Sequence, residues 1–459
     1  MAWPMSGTLL GPLFATQAMA SVFADSARLQ AMLDVEAALA KAEGLCGVIP
    51  ADAASAIVAA CKAELFDLDA LGQAAQGGGN LAIPMVKALT AKVAERDAEM
   101  ARWVHWGSTS QDIIDTGLVL QIRAALPLID ADLGALCDAL ASLADSHAET
   151  PLAGRTLMQQ AVPTTLGAKA AGWLCGIAHS RARLGEAGKA ALALQFGGAA
   201  GTIASLHDKG PAVASALAQE LGLTLPDLPW HAQRERFADL GCALALLIAS
   251  LAKFARDLAL MAQTEVGEFS EAGGEGKGSS SAMPHKANPV GCARILAAAK
   301  RAPGLAATLL AAMDHEHERG LGVWQAEWEA LPELFGLAAM ASAVAGDLAR
   351  HGQFHLEAMA ANLGITSGLI MAEAVTVALG ERIGKSAAQS LLEKAARRAR
   401  AEHRPLGQVL AAEADIARHF TAADIDRLLD PLAYLGAAPE MARQVAKRYH
   451  DEKRRQALS

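Results

Sequence analysis

The chain has 459 residues, enough for several domains and a large buried core. Hydrophobic residues make up 53 %, charged residues 19 % and aromatics only 4 %, and Ala and Leu dominate the apolar fraction, a composition that favours helices over sheets. A net charge of −9 excludes a global basic field for nucleic acid.

Residues 1–24 carry no charge, and Ala18-Met19-Ala20 has the look of a signal-peptidase site. No Lys or Arg precedes it, and Pro4, Gly11 and Pro12 interrupt the apolar run, so the stretch reads as mature sequence. Helical periodicity begins near Ser26, with Leu29, Leu33, Glu36/Ala37 and Ala40 at three-to-four spacing and Gly44 as a stop. Asp67–Gly79 reads as a looser segment ending in GGGN, before a helix expected near Ile83-Pro84. WVHWGSTSQD (103–112) breaks the pattern again, and a helix restarts at Ile113.

From there the pattern predicts very long helices at 113–148, 164–193 and 233–268, with breaks at 147–163, 196–210 and 271–289. The apolar run around Ala243–Ala252 stops at Lys253, which reads as a buried core helix and is too short for a bilayer. After about 365 the helices shorten, and DPLAYLG (430–436) reads as a turn. The basic run from Lys394 to Arg404 reads as a solvated helix face. Cys46, Cys61, Cys137, Cys175, Cys242 and Cys292 form no C-x-x-C pair, which predicts free thiols in a reducing cytoplasm. Three regions are expected: an N-terminal helical domain (1–110), a central long-helix domain (111–362) and a C-terminal helical domain (363–459).

The segment 273–291, GGEGKGSSSAMPHKANPVG, concentrates chemistry. Glycines and serines expose backbone N–H groups that can cradle an anion, the hydroxyls can carry a proton, and Lys286 adds positive charge. Taken alone such a run is more often a flexible linker. A nucleotide-binding P-loop is excluded, because Gly278 follows Lys277 where Ser or Thr is required and no strand precedes it.

Ser280-Ser281-Ala282-Met283-Pro284-His285-Lys286-Ala287-Asn288-Pro289 closely resembles the signature G-S-S-x-M-P-x-K-x-N-P of the fumarase/aspartase (argininosuccinate lyase) superfamily. The resemblance implies an all-α fold, with long central helices that form a multi-helix bundle on tetramerisation. It also implies active sites shared between subunits, a small polycarboxylate substrate, and no cofactor or metal. By register from Lys286, the family's catalytic serine falls on Ser280; Ser279 stands where the family has glycine and is the other candidate. Lys286 is then catalytic, with Ser281, Met283 and Asn288 beside the substrate. HWGSTSQDIIDTGL (105–118) resembles the first family block, implying substrate contacts for His105, Thr109, Ser110 and Gln111. GRTLMQQAVPTTLG (154–167) resembles the second, implying Arg155, Thr156, Gln159 and Gln160. Leu157 occupies the position of that block's catalytic His, which argues against adenylosuccinate, argininosuccinate and fumarate chemistry in their usual form.

Further stretches, including GPLFATQAM, LQFGGAAGTIASL, PWHAQRERFADL, MDHEHERGLGVWQAEW and LLDPLAYLGAAPEM, look like the bacterial 3-carboxy-cis,cis-muconate cycloisomerases of aromatic (protocatechuate) catabolism. Ala287 for the family's usual Arg, and Gln160 and Gln325 where His is common, are departures that point to altered substrate preference. An adenylosuccinate-type lyase and a non-catalytic scaffold are the competing readings.

His315 and His317 in HEHER are expected at a solvated helix end, pointing to different faces and so making no metal pair. Arg319, Gln233, Arg234 and Arg236 are candidate contacts to substrate carboxylates, of which Arg234 and Arg319 are the choices.

Overall fold

The computed structural model describes residues 7–273, 283 and 286–458. The fold is overwhelmingly helical, and its strands are limited among the described residues to two short two-stranded sheets. The elements that position the site are labelled in chain order: α1 (Asp25–Leu45), α2 (Ser110–Ser146), β1 (Pro151–Thr156), β2 (Gln159–Thr165), α3 (Leu166–Ala191), α4 (Glu235–Met261), β3 (Phe269–Ser270), α5 (Val290–Ala311), α6 (Val323–His351) and β4 (Gln353–Phe354).

Contacts divide the chain into two compact units. The first comprises Met1–Leu133, His179–Ala252 and Arg294–Val344; the second comprises Gly134–Ala178, Lys253–Ala293 and Ala345–Ser459. In the first unit α1 buries Leu29, Met32, Leu33, Leu39 and Ala40, the face its three-to-four spacing predicts, and Phe23 meets Phe335 at 5.5 Å between ring centroids. In the second unit Trp173 packs edge-on against Phe254, and its indole N–H donates to Asp257. The C-terminal helices have their own core of Val375, Leu379, Leu392, Leu406, Val409, Leu410, Ile416 and Ile425.

Predicted helix limits at 113–148 and 164–193 fall within about a turn of those observed, whereas α4 starts two residues later than expected and stops at Met261 rather than 268. Three expectations change. The looser segment 67–79 is a helix, Leu68–Gly78, because Asp67 accepts from the N–H of Ala70 and closes its first turn. The break at 147–163 contains a hairpin, β1–β2, whose register pairs Thr156 with Gln159 across a two-residue turn. The run at Ala243–Ala252 lies inside α4, which is long and apolar enough by length and composition to cross a membrane, as is α6. In their apolar windows 56 % of α4 and 83 % of α6 is buried within the protein. The basic run behaves as expected: Lys394, Arg397, Arg398 and Arg400 are exposed on the helix Lys385–Ala401. All six cysteines are free thiols.

Candidate active site

The first unit carries a dense polar cluster at the start of α2. Gln111, Asp112, Asp115 and Thr116 share one helical face by their three-to-four spacing, and all four are buried. Burying four polar groups together demands that each be satisfied. Asp112 accepts from the N–H groups of Gly197 at 2.9 Å, Gly198 at 2.9 Å and Thr109 at 3.0 Å, and its Oδ1 lies 2.7 Å from Nε2 of buried His231. Glycine is required here: a Cβ on Gly197 would come within 2.8 Å of the His231 ring, and Gly198 sits at φ +69. Thr116 Oγ1 donates to the Gln195 carbonyl and accepts the Gln195 N–H.

Arg234 lies just before α4 and is 1 % exposed. Its Nη1 and Nη2 donate to Asp115 at 2.6 and 3.1 Å, and its Nε and Nη2 donate to Glu327 at 3.0 and 2.5 Å. Burial pulls this guanidinium down, but Asp115 and Glu327 hold it above its ordinary pKa. The rings of Trp230 and Phe237 stack within about 5 Å of it, at 4.7 and 5.0 Å. The sequence offers Arg234 as a carboxylate ligand; the carboxylates it binds in the structure belong to the protein.

Arg319 is placed differently. It lies between α5 and α6 in a non-helical connection, so HEHER is no helix end, and His317 there has φ +51. Arg319 Nε donates to Gln111 Oε1 at 2.9 Å, and Nη2 donates to the Ala199 carbonyl at 3.2 Å. Gln111 is oriented by donating to Asp115 and to the His231 carbonyl. Among the described residues no carboxylate lies within ion-pair distance of Arg319, and the hydroxyls of Thr109 and Ser110 have no hydrogen-bond partner. A partly exposed guanidinium near two free hydroxyls at the N-terminus of a 37-residue helix suits a substrate carboxylate. His105, just upstream, contacts Glu36 and Ser108.

The second unit carries the hairpin. Arg155 donates to Glu268 through Nη1 at 2.9 Å and Nη2 at 2.6 Å, and Glu268 is fully buried. Asn362 donates to the same carboxylate at 2.8 Å, and Gln160 Nε2 donates to the Asn362 carbonyl. Buried Gln160 Oε1 has no partner among the described residues. Thr156 and Gln159 are exposed, Gln159 reaching only the neighbouring Met158 carbonyl. Between them Leu157 and Met158 occupy left-handed backbone at φ +49 and +65 while 96 % and 71 % exposed. Lys286 is exposed and its N–H donates to Met283; Asn288 precedes α5, whose first amides from Gly291 and Cys292 are accepted by Glu271. Ser279, Ser280 and Ser281 lie outside the described residues.

The structure thus joins Gln111, Arg234 and Arg319 in one network beside Thr109 and Ser110, and joins Arg155 to Gln160 in another. Sequence reasoning missed Glu36, Asp112, Asp115, His231, Glu268 and Glu327. For the first of these the signal was present, as an acid set within the apolar stripe of α1. Among the described residues no group of three or more His, Cys, Asp or Glu is arranged to hold a metal ion.

A family model described as lyase matches residues 14–304, and one described as adenylosuccinate lyase C-terminus matches 368–445. The chain is 51 % identical to 3-carboxy-cis,cis-muconate cycloisomerase of Pseudomonas aeruginosa, over 96 % of each chain. It is 44 % identical to nitrosuccinate lyase of Streptomyces davaonensis, over 94 % of this chain and 92 % of that one. The solved 3-carboxy-cis,cis-muconate lactonizing enzyme from Pseudomonas putida superposes with a TM-score of 0.92 at 47 % identity, covering 96 % of this chain and 99 % of that one. The chain belongs to the lyase family of the fumarase/aspartase superfamily, among relatives named 3-carboxy-cis,cis-muconate cycloisomerase.

Proposed function

We propose that the enzyme closes 3-carboxy-cis,cis-muconate, or a related 3-substituted muconate, to 4-carboxymuconolactone or the corresponding lactone. One substrate carboxylate oxygen forms a C–O bond across the conjugated double bond, and a proton is delivered to the carbon beside another carboxylate. The intermediate is a carbanion in aci-carboxylate form, so the site must stabilise added negative charge where it develops. Ser280 carries the proton in this reading, with Lys286 holding charge nearby. Arg319, Thr109 and Ser110 grip a carboxylate and so hold the chain in a geometry ready to cyclise. The observation that carries the reading is Arg319: a partly exposed guanidinium, ordered by Gln111, with no protein carboxylate among the described residues.

The likeness to nitrosuccinate lyase favours a second reading, an intermolecular elimination from a substituted succinate. One substrate panel separates the two. Loss of muconate ultraviolet absorbance on adding enzyme supports lactonisation. Turnover of nitrosuccinate or adenylosuccinate, with muconates untouched, overturns it. Near-normal turnover by Ser280→Ala removes the role assigned to that serine. We place the enzyme in the cytoplasm as a homotetramer with active sites shared between subunits, a reading supported by its free thiols and by its family.

A further inference from the structure

α1 carries two acids on its buried face, Glu36 and Glu43, seven residues apart and therefore about two turns along the same side. Each is 1 % exposed. An acid placed in an apolar stripe is costly unless something engages it. Glu36 is engaged: its Oε1 lies 2.6 Å from Nδ1 of His105, whose side chain is 18 % exposed. Glu43 solves the problem in the other way. Burial, with Glu36 nearby, pushes its pKa up to about 9, so at neutral pH it is an uncharged acid.

We propose that Glu36 is the positioning residue of His105: it accepts the hydrogen on Nδ1 and holds the ring as an imidazolium whose Nε2–H donates to a substrate carboxylate. A carboxylate only accepts, so a 2.6 Å contact requires the hydrogen on Nδ1. The Ser108 hydroxyl, 2.9 Å from that nitrogen, shares the same hydrogen as a second acceptor. No described residue bonds Nε2. The backbone adds an independent sign of constraint: His105 sits at φ +60, a left-handed conformation that strains a residue with a side chain, so its surroundings must hold it. Charge agrees with geometry. Burial pulls the imidazole down, and Glu36, then Asp112, more than reverse this, so His105 titrates above its ordinary value. Asp112 itself is saturated by three backbone N–H groups and His231, which leaves Glu36 as the anion bonded to the ring.

The proposal rests on the reading that His105 contacts substrate, and a double-mutant cycle in the full-length enzyme separates the two. Glu36→Gln is expected to raise KM for 3-carboxy-cis,cis-muconate roughly 10-fold, with a smaller change in kcat. It also shifts the alkaline limb of kcat/KM to lower pH, because the imidazolium loses its carboxylate. Glu36→Asp, which keeps the charge, restores the limb in part and serves as the measurement if Glu36→Gln folds poorly. Glu36→Gln combined with His105→Gln is expected to be no worse than His105→Gln alone. Additive losses, or an alkaline limb that does not move in either Glu36 variant, overturn the proposal. A fully active His105→Gln chain instead brings down the reading of the site beneath it.

Discussion

The polar cluster at the head of α2 and the β1–β2 hairpin each present an arginine that the sequence offers as a substrate contact, and each arginine already holds a protein carboxylate. The difference lies in solvent. Arg234 is sealed between Asp115 and Glu327 with its side chain 0 % exposed, so its donors are committed to the fold. Arg155 is 28 % exposed and grips one buried partner, Glu268, which Asn362 also supports. Arg319 completes the series as the arginine left unpaired by carboxylates among the described residues. Guanidinium chemistry nominates Arg234 and Arg319, and a family block nominates Arg155; burial and prior engagement decide which can still meet a substrate.

The largest effect expected is therefore on stability, at Arg234. Arg234→Met strands buried Glu327 and leaves buried Asp115 only the neutral donors Gln111 and Trp324, which costs about 3–5 kcal/mol, whereas Arg155→Met leaves Glu268 its amide donor and costs about 1–3 kcal/mol. Denaturant midpoints measured on both variants check the order, and equal losses would mean that burial does not separate the two arginines. Arg319 is expected to behave oppositely. Arg319→Ala raises KM roughly 10–100-fold by removing a charge-assisted contact, while stability falls by only about 1 kcal/mol, for the donor lost to Gln111 Oε1. A stability loss comparable to that at Arg234 would make Arg319 a part of the fold rather than of the site.

The same contrast explains what the sequence could disclose. Helices such as α1 and α2 were legible because a three-to-four stripe such as Leu29, Leu33 and Ala40 depends only on local spacing. The family blocks name Thr109 and Gln111, and guanidinium chemistry names Arg319; of these the structure brings Gln111 and Arg319 into hydrogen-bond contact. What could not be read was pairing. Arg234 meets Asp115 across 119 positions and Glu327 across 93, and Arg155 meets Glu268 across 113. No local pattern encodes such contacts. The hairpin was missed for a related reason: Leu157-Met158 is poor turn chemistry, with none of the Asn or Gly that announces a two-residue turn.

Glu43 gives a prediction whose sign is unusual for an acid. Its folded-state value is raised to about 9 from an ordinary 4.5, so between those limits the folded chain holds a proton that the unfolded chain has released. Its contribution to stability is thus fullest below about pH 4.5, declines as pH rises, and levels off above about 9. Glu43→Gln removes the slope. Its melting temperature should exceed that of the wild type by more at pH 8 than at pH 5, and a gap that is equal at the two values would mean that Glu43 ionises in the fold.

The smallest effect is expected at the hairpin tip. A two-residue turn with both central residues left-handed prefers Asn-Gly, and a side chain held there is strained by about 1–2 kcal/mol. Leu157 and Met158 accept that strain while almost fully exposed, so neither backbone preference nor burial within the chain explains them. Replacing the pair by Asn-Gly should raise the unfolding free energy by roughly 1 kcal/mol. If turnover of 3-carboxy-cis,cis-muconate is unchanged, the tip is only a costly turn. If turnover falls while stability rises, the side chains of Leu157 and Met158 act where the chain in isolation leaves them bare, and the strain is retained for function rather than for the fold.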